Sequence, residues 1–328
     1  MSKMINGLVA LALSATVALG DGGVRFNVID GDAEKKYNTL VGEQLESSGF
    51  ILSDPHERIN DAYSKRYGNP KDPDYDKEWK TTLDNLGFFS VSNDVGIREL
   101  LLKEPRLGGF SPFNLHIYKN TNEDKTYVGH LTPSVMLDIV GVEDKAVREA
   151  FTKTFEPLDA IVSEKLGGKV EYFATSNVSK TPMMNFEIEF ERPEDLEEYI
   201  EEFQDNFEGA FEENKYIIAG YKDYKEAYSE LELDFPKYDA YFVYSLCHFT
   251  FSYNVFNKGR GDAGVFAPCA MYMYIEKGSN KLIIGMPTLD NWATVMGIKD
   301  PVKLKWIKKT DDEIIQVMKD LGATYTTK

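Results

Sequence analysis

Two cysteines, Cys247 and Cys269, are the residues of this sequence best suited to covalent chemistry. Both lie in segments with strand-like alternation, and an even cysteine count favours a disulfide if the chain is exported. Neighbouring strands can bring two Cβ atoms within the roughly 4 Å that such a bond requires. Two inert buried thiols, or a reactive redox thiol assisted by His248, are the alternatives. Consecutive strand residues point to opposite faces, which argues against Cys247 and His248 acting together as nucleophile and base.

His116 and His130 form the best candidate pair of metal ligands among the four histidines. In a β-hairpin centred on Glu123 they would stand opposite each other. Opposed side chains have Cβ atoms about 5 Å apart, which lets two imidazoles share a metal ion. A one-residue change of register would separate them, and two ligands do not complete a zinc site. The alternative is two ordinary polar residues of a sheet.

Signatures of several enzyme classes are missing from the sequence. There is no Walker loop, no G-x-G-x-x-G, no G-x-S-x-G and no C-x-x-C. No pair of carboxylates is marked as a general acid and base. The sequence therefore indicates no reaction, and we expect a protein without catalysis or a resident cofactor, a metal remaining the one open alternative.

The elements that must position these residues occur twice. Residues 108–144 align without a gap with residues 264–300, at an offset of 156, and nine of the 37 pairs are identical. Such agreement predicts an internal duplication. We assign a first repeat to residues 21–168, a connecting segment to 169–182 and a second repeat to 183–328.

Each repeat is predicted to contain a strand, a helix, several antiparallel strands and a C-terminal helix. This order is typical of an α+β fold with helices on one face of a sheet. Residues 64–82, rich in Pro, Gly, Asp and Lys, are predicted to be a long surface loop. The predicted strands are 24–28, 50–53, 88–92, 113–119, 127–131, 186–190, 216–220, 241–251, 269–276 and 281–286. The predicted helices are 33–49, 145–166, 193–211 and 302–321.

The first twenty residues differ from the rest of the chain. Lys3 is their only charged residue, and the apolar run from Ile5 to Leu19 is shorter than a comfortable membrane span. The run ends in Ala18-Leu19-Gly20, the small-residue pattern of a signal-peptidase site. Residues 1–20 are therefore predicted to be a signal peptide of a periplasmic or secreted protein, with a retained N-terminal helix as the alternative.

The net charge of the chain is −17, from 37 Lys and Arg against 54 Asp and Glu. A field of that sign repels nucleic-acid phosphates and anionic lipid head groups. We therefore expect neither nucleic acid nor anionic lipid as a partner. No stretch after residue 20 approaches membrane length, so we expect no integral membrane span once the leader is removed. The expected partner is a small molecule or another protein, which includes a second copy of this chain.

A segment of the second repeat resembles the bacterial "domain of unknown function 302" family. It runs Val265-Phe-Ala-Pro-Cys-Ala-Met-Tyr-Met-Tyr-Ile-Glu, then a turn and Lys281-Leu-Ile-Ile-Gly. In the first repeat, the helix-like segment 99–105 is similar to the family's helix before this strand. The resemblance implies a tandem of sheets like the saddle of the TATA-binding protein, and no activity. The positions that match the family motif are Pro112, Asn114, Pro268 and Cys269, and neither repeat has both the asparagine and the cysteine.

Three hypotheses about function follow. The first is an exported, non-catalytic binding protein whose ligand occupies the sheet face or the cleft between the repeats. The second is a periplasmic redox or metal-handling protein that uses Cys247 and Cys269 or His116 and His130. The third is a structural or assembly subunit. We favour the first because no residue pattern indicates catalysis.

Overall fold

The computed structural model describes residues 22–175 and 177–326. The predicted signal peptide, residues 1–20, lies outside the described residues. Within them, no helix has both the length and the apolar composition that a membrane crossing requires.

Thirteen strands of the described chain form two antiparallel sheets. The first sheet contains β1 (Val24–Asp30), β2 (Ile51–His56), β3 (Leu83–Ser92), β4 (Phe113–Asn114), β5 (His116–Asn120), β6 (Lys125–Leu131) and β7 (Lys169–Phe173). The second contains β8 (Met183–Glu189), β9 (Tyr216–Asp223), β10 (Tyr238–His248), β11 (Cys269–Glu276), β12 (Lys281–Pro287) and β13 (Thr324–Thr326). The predicted mixed α+β architecture is confirmed at this level.

The two sheets share one strand order. The first runs β2-β3-β5-β6-β1-β7, with β4 beside β3, and the second runs β9-β10-β11-β12-β8-β13. Each strand of the six-stranded path in the first sheet thus has a counterpart at the same place in the second. This agreement is what a duplicated α+β unit predicts. Because β7 pairs with β1, residues 169–173 belong to the first sheet and not to the connecting segment.

Helices follow the same order in both halves of the chain. The helices are α1 (Glu34–Thr39), α2 (Ile59–Tyr67), α3 (Asp94–Lys103), α4 (Pro133–Ile139), α5 (Lys145–Leu166), α6 (Leu196–Glu213), α7 (Tyr224–Glu230), α8 (Phe249–Ser252), α9 (Asp290–Met296) and α10 (Pro301–Asp320). Asp144 and Asp300, identical in the alignment, cap α5 and α10 by accepting hydrogen bonds from the next backbone N–H groups. The long C-terminal helix of each repeat therefore starts where the sequence predicts.

Two predicted segments differ from the structure. The strand predicted over 241–251 ends at His248, because the His248 Nδ1 atom accepts a hydrogen bond from the Phe251 amide and starts α8. The loop predicted over 64–82 begins inside α2. Its Tyr67 ring stacks on Tyr253 with centroids 3.7 Å apart, so this part of the first repeat packs on the second repeat.

Each sheet is covered on one face by its own helices and on part of the other face by the opposite repeat. A 3₁₀ turn at Pro105–Phe110 lies against β11 and β12, and its counterpart at Gly261–Phe266 lies against β3, β5 and β6. The Tyr241 hydroxyl donates to the Pro105 carbonyl at 2.5 Å. Each turn packs on the sheet of the opposite repeat, so part of the face that would form a saddle is occupied, and the saddle is not confirmed.

Candidate ligand-binding groove

The disulfide expected between Cys247 and Cys269 is wrong, because both are free thiols. In the register of β10 with β11, Leu246 lies opposite Cys269. Cys247 follows Leu246 and therefore points to the opposite face of the sheet. Burial raises the pKa of the Cys247 thiol to about 11 and shifts the pKa of Cys269 further in the same direction. The raised pKa values favour the protonated form of both partly buried thiols at neutral pH, and hence inert cysteines over reactive ones.

Both thiols are expected to resist alkylation in the native protein. At pH 7.5 a maleimide should modify neither Cys247 nor Cys269 within minutes, because the nucleophilic thiolate is suppressed at both positions. In guanidinium chloride, without reductant, both should react at once. Intact mass measures the two states, and rapid native labelling of either residue would revive a redox role.

The metal pair expected at His116 and His130 is also wrong, because the hairpin register is shifted by one residue. His116 lies opposite Gly129, so the two imidazoles point to opposite faces of the sheet. The His116 ring is buried, with Nδ1 2.9 Å from the Gly87 oxygen and Nε2 2.8 Å from the Gly261 oxygen. Among the described residues, no group of three or more His, Cys, Asp or Glu side chains could hold a metal.

His130 belongs to a buried polar network beneath α5. Its Nε2 lies 3.0 Å from a carboxylate oxygen of Asp159, which also lies 3.1 Å from Arg25. The counterparts of Arg25 and His130 in the second sheet are Met184 and Met286, which pair in the same way. The network is therefore not required to build the repeat.

The family-motif residues lie where the two repeats meet. Pro112 and Pro268 both follow cis peptide bonds. The Asn114 side chain accepts a hydrogen bond from the Phe89 amide at 2.9 Å and donates one to the Gly264 carbonyl at 2.7 Å. These residues and Cys269 surround a cavity with room for about one water molecule. The arrangement ties the repeats together and leaves no space for a larger ligand.

A groove of about 680 Å³ runs between the repeats at the uncovered part of the second sheet. Its floor is formed by β8, β12 and β13, and its wall by the end of α4 and by Arg106 of the first repeat. The volume lies within the range of small-molecule sites. The lining residues are Arg106, Ile139, Val140, Gly141, Lys180, Thr181, Pro182, Met183, Asn185, Phe186, Glu187, Ile283 and Thr326.

The equivalent surface of the first sheet is filled by aromatic rings. Phe26 occupies the position of Asn185, since each pairs with the glycine that is shared by the alignment. Tyr127 likewise occupies the position of Ile283. The Phe26 ring lies 6.0 Å from Tyr127 and 5.8 Å from Phe173, centroid to centroid. The second repeat has smaller side chains at two of these places, and the groove is the space that they leave.

Arg106 is held rigidly at the wall of this groove. Glu104 accepts hydrogen bonds from its Nε and Nη2 atoms, both at 2.7 Å. The pair is bidentate, which fixes the plane of the guanidinium. At the equivalent positions of the second repeat the charges are exchanged, with Arg260 for Glu104 and Asp262 for Arg106. At this position, therefore, the first repeat places a cation, Arg106, at the wall of the groove, whereas the second repeat has an aspartate.

Comparisons with known proteins place few constraints on the chain. No family profile matches it, and no curated protein matches it. A crystal structure of an uncharacterized conserved DUF302 protein from Bacillus stearothermophilus is similar to 41% of this chain and 95% of its own, with 18% identity and a TM-score of 0.34.

Sequence reasoning predicted a cleft between the repeats but missed the residues that form it. Arg106 lies just before the aligned block. If the alignment is extended at the same offset, Arg106 aligns with Asp262, a residue of opposite charge. The replacement of Tyr127 by Ile283 lies inside the block. A systematic comparison of charge and size between the repeats would have marked both positions.

Proposed function

We propose that this protein is an exported, non-catalytic binding protein that holds a small molecule in the groove between its repeats. The groove itself carries the proposal, since the same surface of the duplicated sheet is filled with aromatic rings. Seven of the lining residues are apolar or glycine and six are polar or charged, so the groove can offer both apolar contact and hydrogen bonds to a ligand. Export and membership of the whole chain in the DUF302 family as a tandem form belong to the proposal. N-terminal sequencing of the secreted protein tests export.

The redox and metal alternative receives less support. The two thiols are partly buried on opposite faces of the sheet, and the two histidines do not share a face. An assembly role has no supporting observation among the described residues. The binding role is therefore the hypothesis that we develop.

Replacing Ile283 with tyrosine is expected to abolish binding, because it gives the groove the residue that fills the equivalent surface of the first repeat. A fragment library screened by ligand-observed NMR should yield compounds that bind wild-type protein and not Ile283→Tyr. The matched control is Ile217→Tyr, the same change at an isoleucine that is 49% exposed on the edge strand β9. Compounds that bind all three proteins equally, or a screen without any binder, would contradict the proposal.

A further inference from the structure

We infer that the ligand of this groove carries an anionic group, a carboxylate or a phosphate, that contacts Arg106, and an apolar body that lies on the sheet. The inference rests on the proposed function and adds the chemical class of the ligand. Its basis is the arrangement of Arg106, Glu104 and Gly141 at the wall of the groove.

The first step concerns the free edge of the guanidinium. Glu104 engages Nε and Nη2 of Arg106, and no acceptor among the described residues pairs with Nη1. Gly141, which lines the groove, lies next to this nitrogen, and a Cβ atom there would stand 3.2 Å from Nη1. Gly141 has a φ of +70°, which favours glycine, and the absence of a side chain there leaves space beside Nη1.

The second step concerns charge. The groove also contains Lys180, an exposed lysine for which no ion pair forms among the described residues. The one carboxylate of the lining, Glu187, lies 3.5 Å from Lys281. The lining thus holds two cations and one carboxylate, with Glu104 behind Arg106, in a chain whose net charge is −17. A guanidinium whose plane is already fixed loses little entropy on binding an anion, which makes it a favourable carboxylate or phosphate contact.

The third step concerns the rest of the ligand. The accessible apolar surface of the groove comes from Pro182 on one side and Ile283 on the sheet. Ile139, Val140 and Met183 lie behind it and are buried. A surface of this kind binds hydrocarbon and offers few hydrogen bonds to a sugar-like molecule. An amphiphilic anion therefore matches both parts of the groove.

The test compares four probes of one chain length by calorimetric titration of the full protein: octanoate, octyl phosphate, 1-octanol and octylammonium. Because charge-assisted hydrogen bonds contribute about 1.5–3 kcal/mol, at least one anion should bind roughly tenfold to a hundredfold tighter than octanol. Octylammonium should bind more weakly than octanol. The ranking of octanoate against octyl phosphate distinguishes a carboxylate from a phosphate ligand.

The decisive variant exchanges the ion pair, Glu104→Arg with Arg106→Asp, which copies Arg260 and Asp262 of the second repeat at unchanged net charge. It should lose the preference for anions and keep the affinity for octanol. The matched control exchanges a surface pair on α10, Lys308→Asp with Asp312→Lys, and should behave as wild type. Arg106→Gln provides a second measurement if the exchanged pair prevents folding.

Two results separate this inference from the proposed function. In the first result, octanol binds, Ile283→Tyr abolishes this binding, and neither octanoate nor octyl phosphate binds more tightly than octanol. This result overturns the anionic ligand and leaves the groove as a binding site. Anion binding that survives the exchanged pair also overturns the role of Arg106. If none of the four probes binds, the inference is overturned, and the fragment screen decides the proposed function independently.

Discussion

Replacing Gly264 with alanine is expected to destabilise the protein by roughly 1–3 kcal/mol, the usual cost of overpacking. A Cβ atom at this position would stand 2.4 Å from Cε1 and 2.6 Å from Nε2 of His116. The imidazole is held by the carbonyl groups of Gly87 and Gly261. Asn114 in turn donates to the Gly264 carbonyl, which fixes the glycine. Neither side of the contact can move without breaking a hydrogen bond between the repeats.

Urea denaturation of Gly264→Ala measures this cost, and Gly209→Ala is its control. Gly209 is exposed within α6, and a Cβ atom there would contact nothing within 4 Å. The control should stabilise the protein by up to about 1 kcal/mol, because alanine is the better helix former. A Gly264→Ala protein as stable as wild type would show that the repeats are not locked together at His116.

The second prediction concerns Asp311, whose pKa is raised by burial to about 7. The amides of Leu289 and Asp290 donate to its two carboxylate oxygens, which oppose the shift without cancelling it. In the unfolded chain the pKa of an aspartate is about 3.9. Between these two pH values the folded protein holds a proton that the unfolded chain has released. Stability therefore falls as the pH rises through this window and changes no further above it.

Asp311→Asn should remove this dependence, because the amide cannot ionise. From pH 5 to pH 8, wild type should lose on the order of 2–3 kcal/mol of unfolding free energy relative to the variant. The exposed Asp320 at the end of the same helix provides the control, and Asp320→Asn should follow the wild-type profile. Parallel profiles for wild type and Asp311→Asn would show that Asp311 is ionised throughout.

Much of the repeat architecture can be predicted from the sequence, because its signals are local. Alternation along β8 and helical spacing along α6 both reflect side chains within a few residues of each other. The caps Asp144 and Asp300 act on the amides that immediately follow them. The duplication is visible because equivalent positions in the two copies face similar surroundings.

The candidate site could be predicted only in part, because it depends on register and on contacts between the repeats. A hairpin centred on Glu123 would have an odd number of residues in its turn, but the turn between β5 and β6 has four. The register is therefore shifted by one residue, so that His116 pairs with Gly129 and not with His130. Periodicity assigned Cys247 and Cys269 to strands, but it could not decide whether the two side chains lie on the same face of the sheet after the strands pair.

The sequence by itself determined two copies of an α+β unit with an acidic net charge, since composition, spacing and repetition are properties of the chain. Only the tertiary structure decided that each 3₁₀ turn crosses to the opposite sheet, that Phe26 and Tyr127 fill one surface, and that the equivalent surface remains a groove beside Arg106. These outcomes depend on atoms more than 100 residues apart in the chain, where no local pattern specifies which side chains meet.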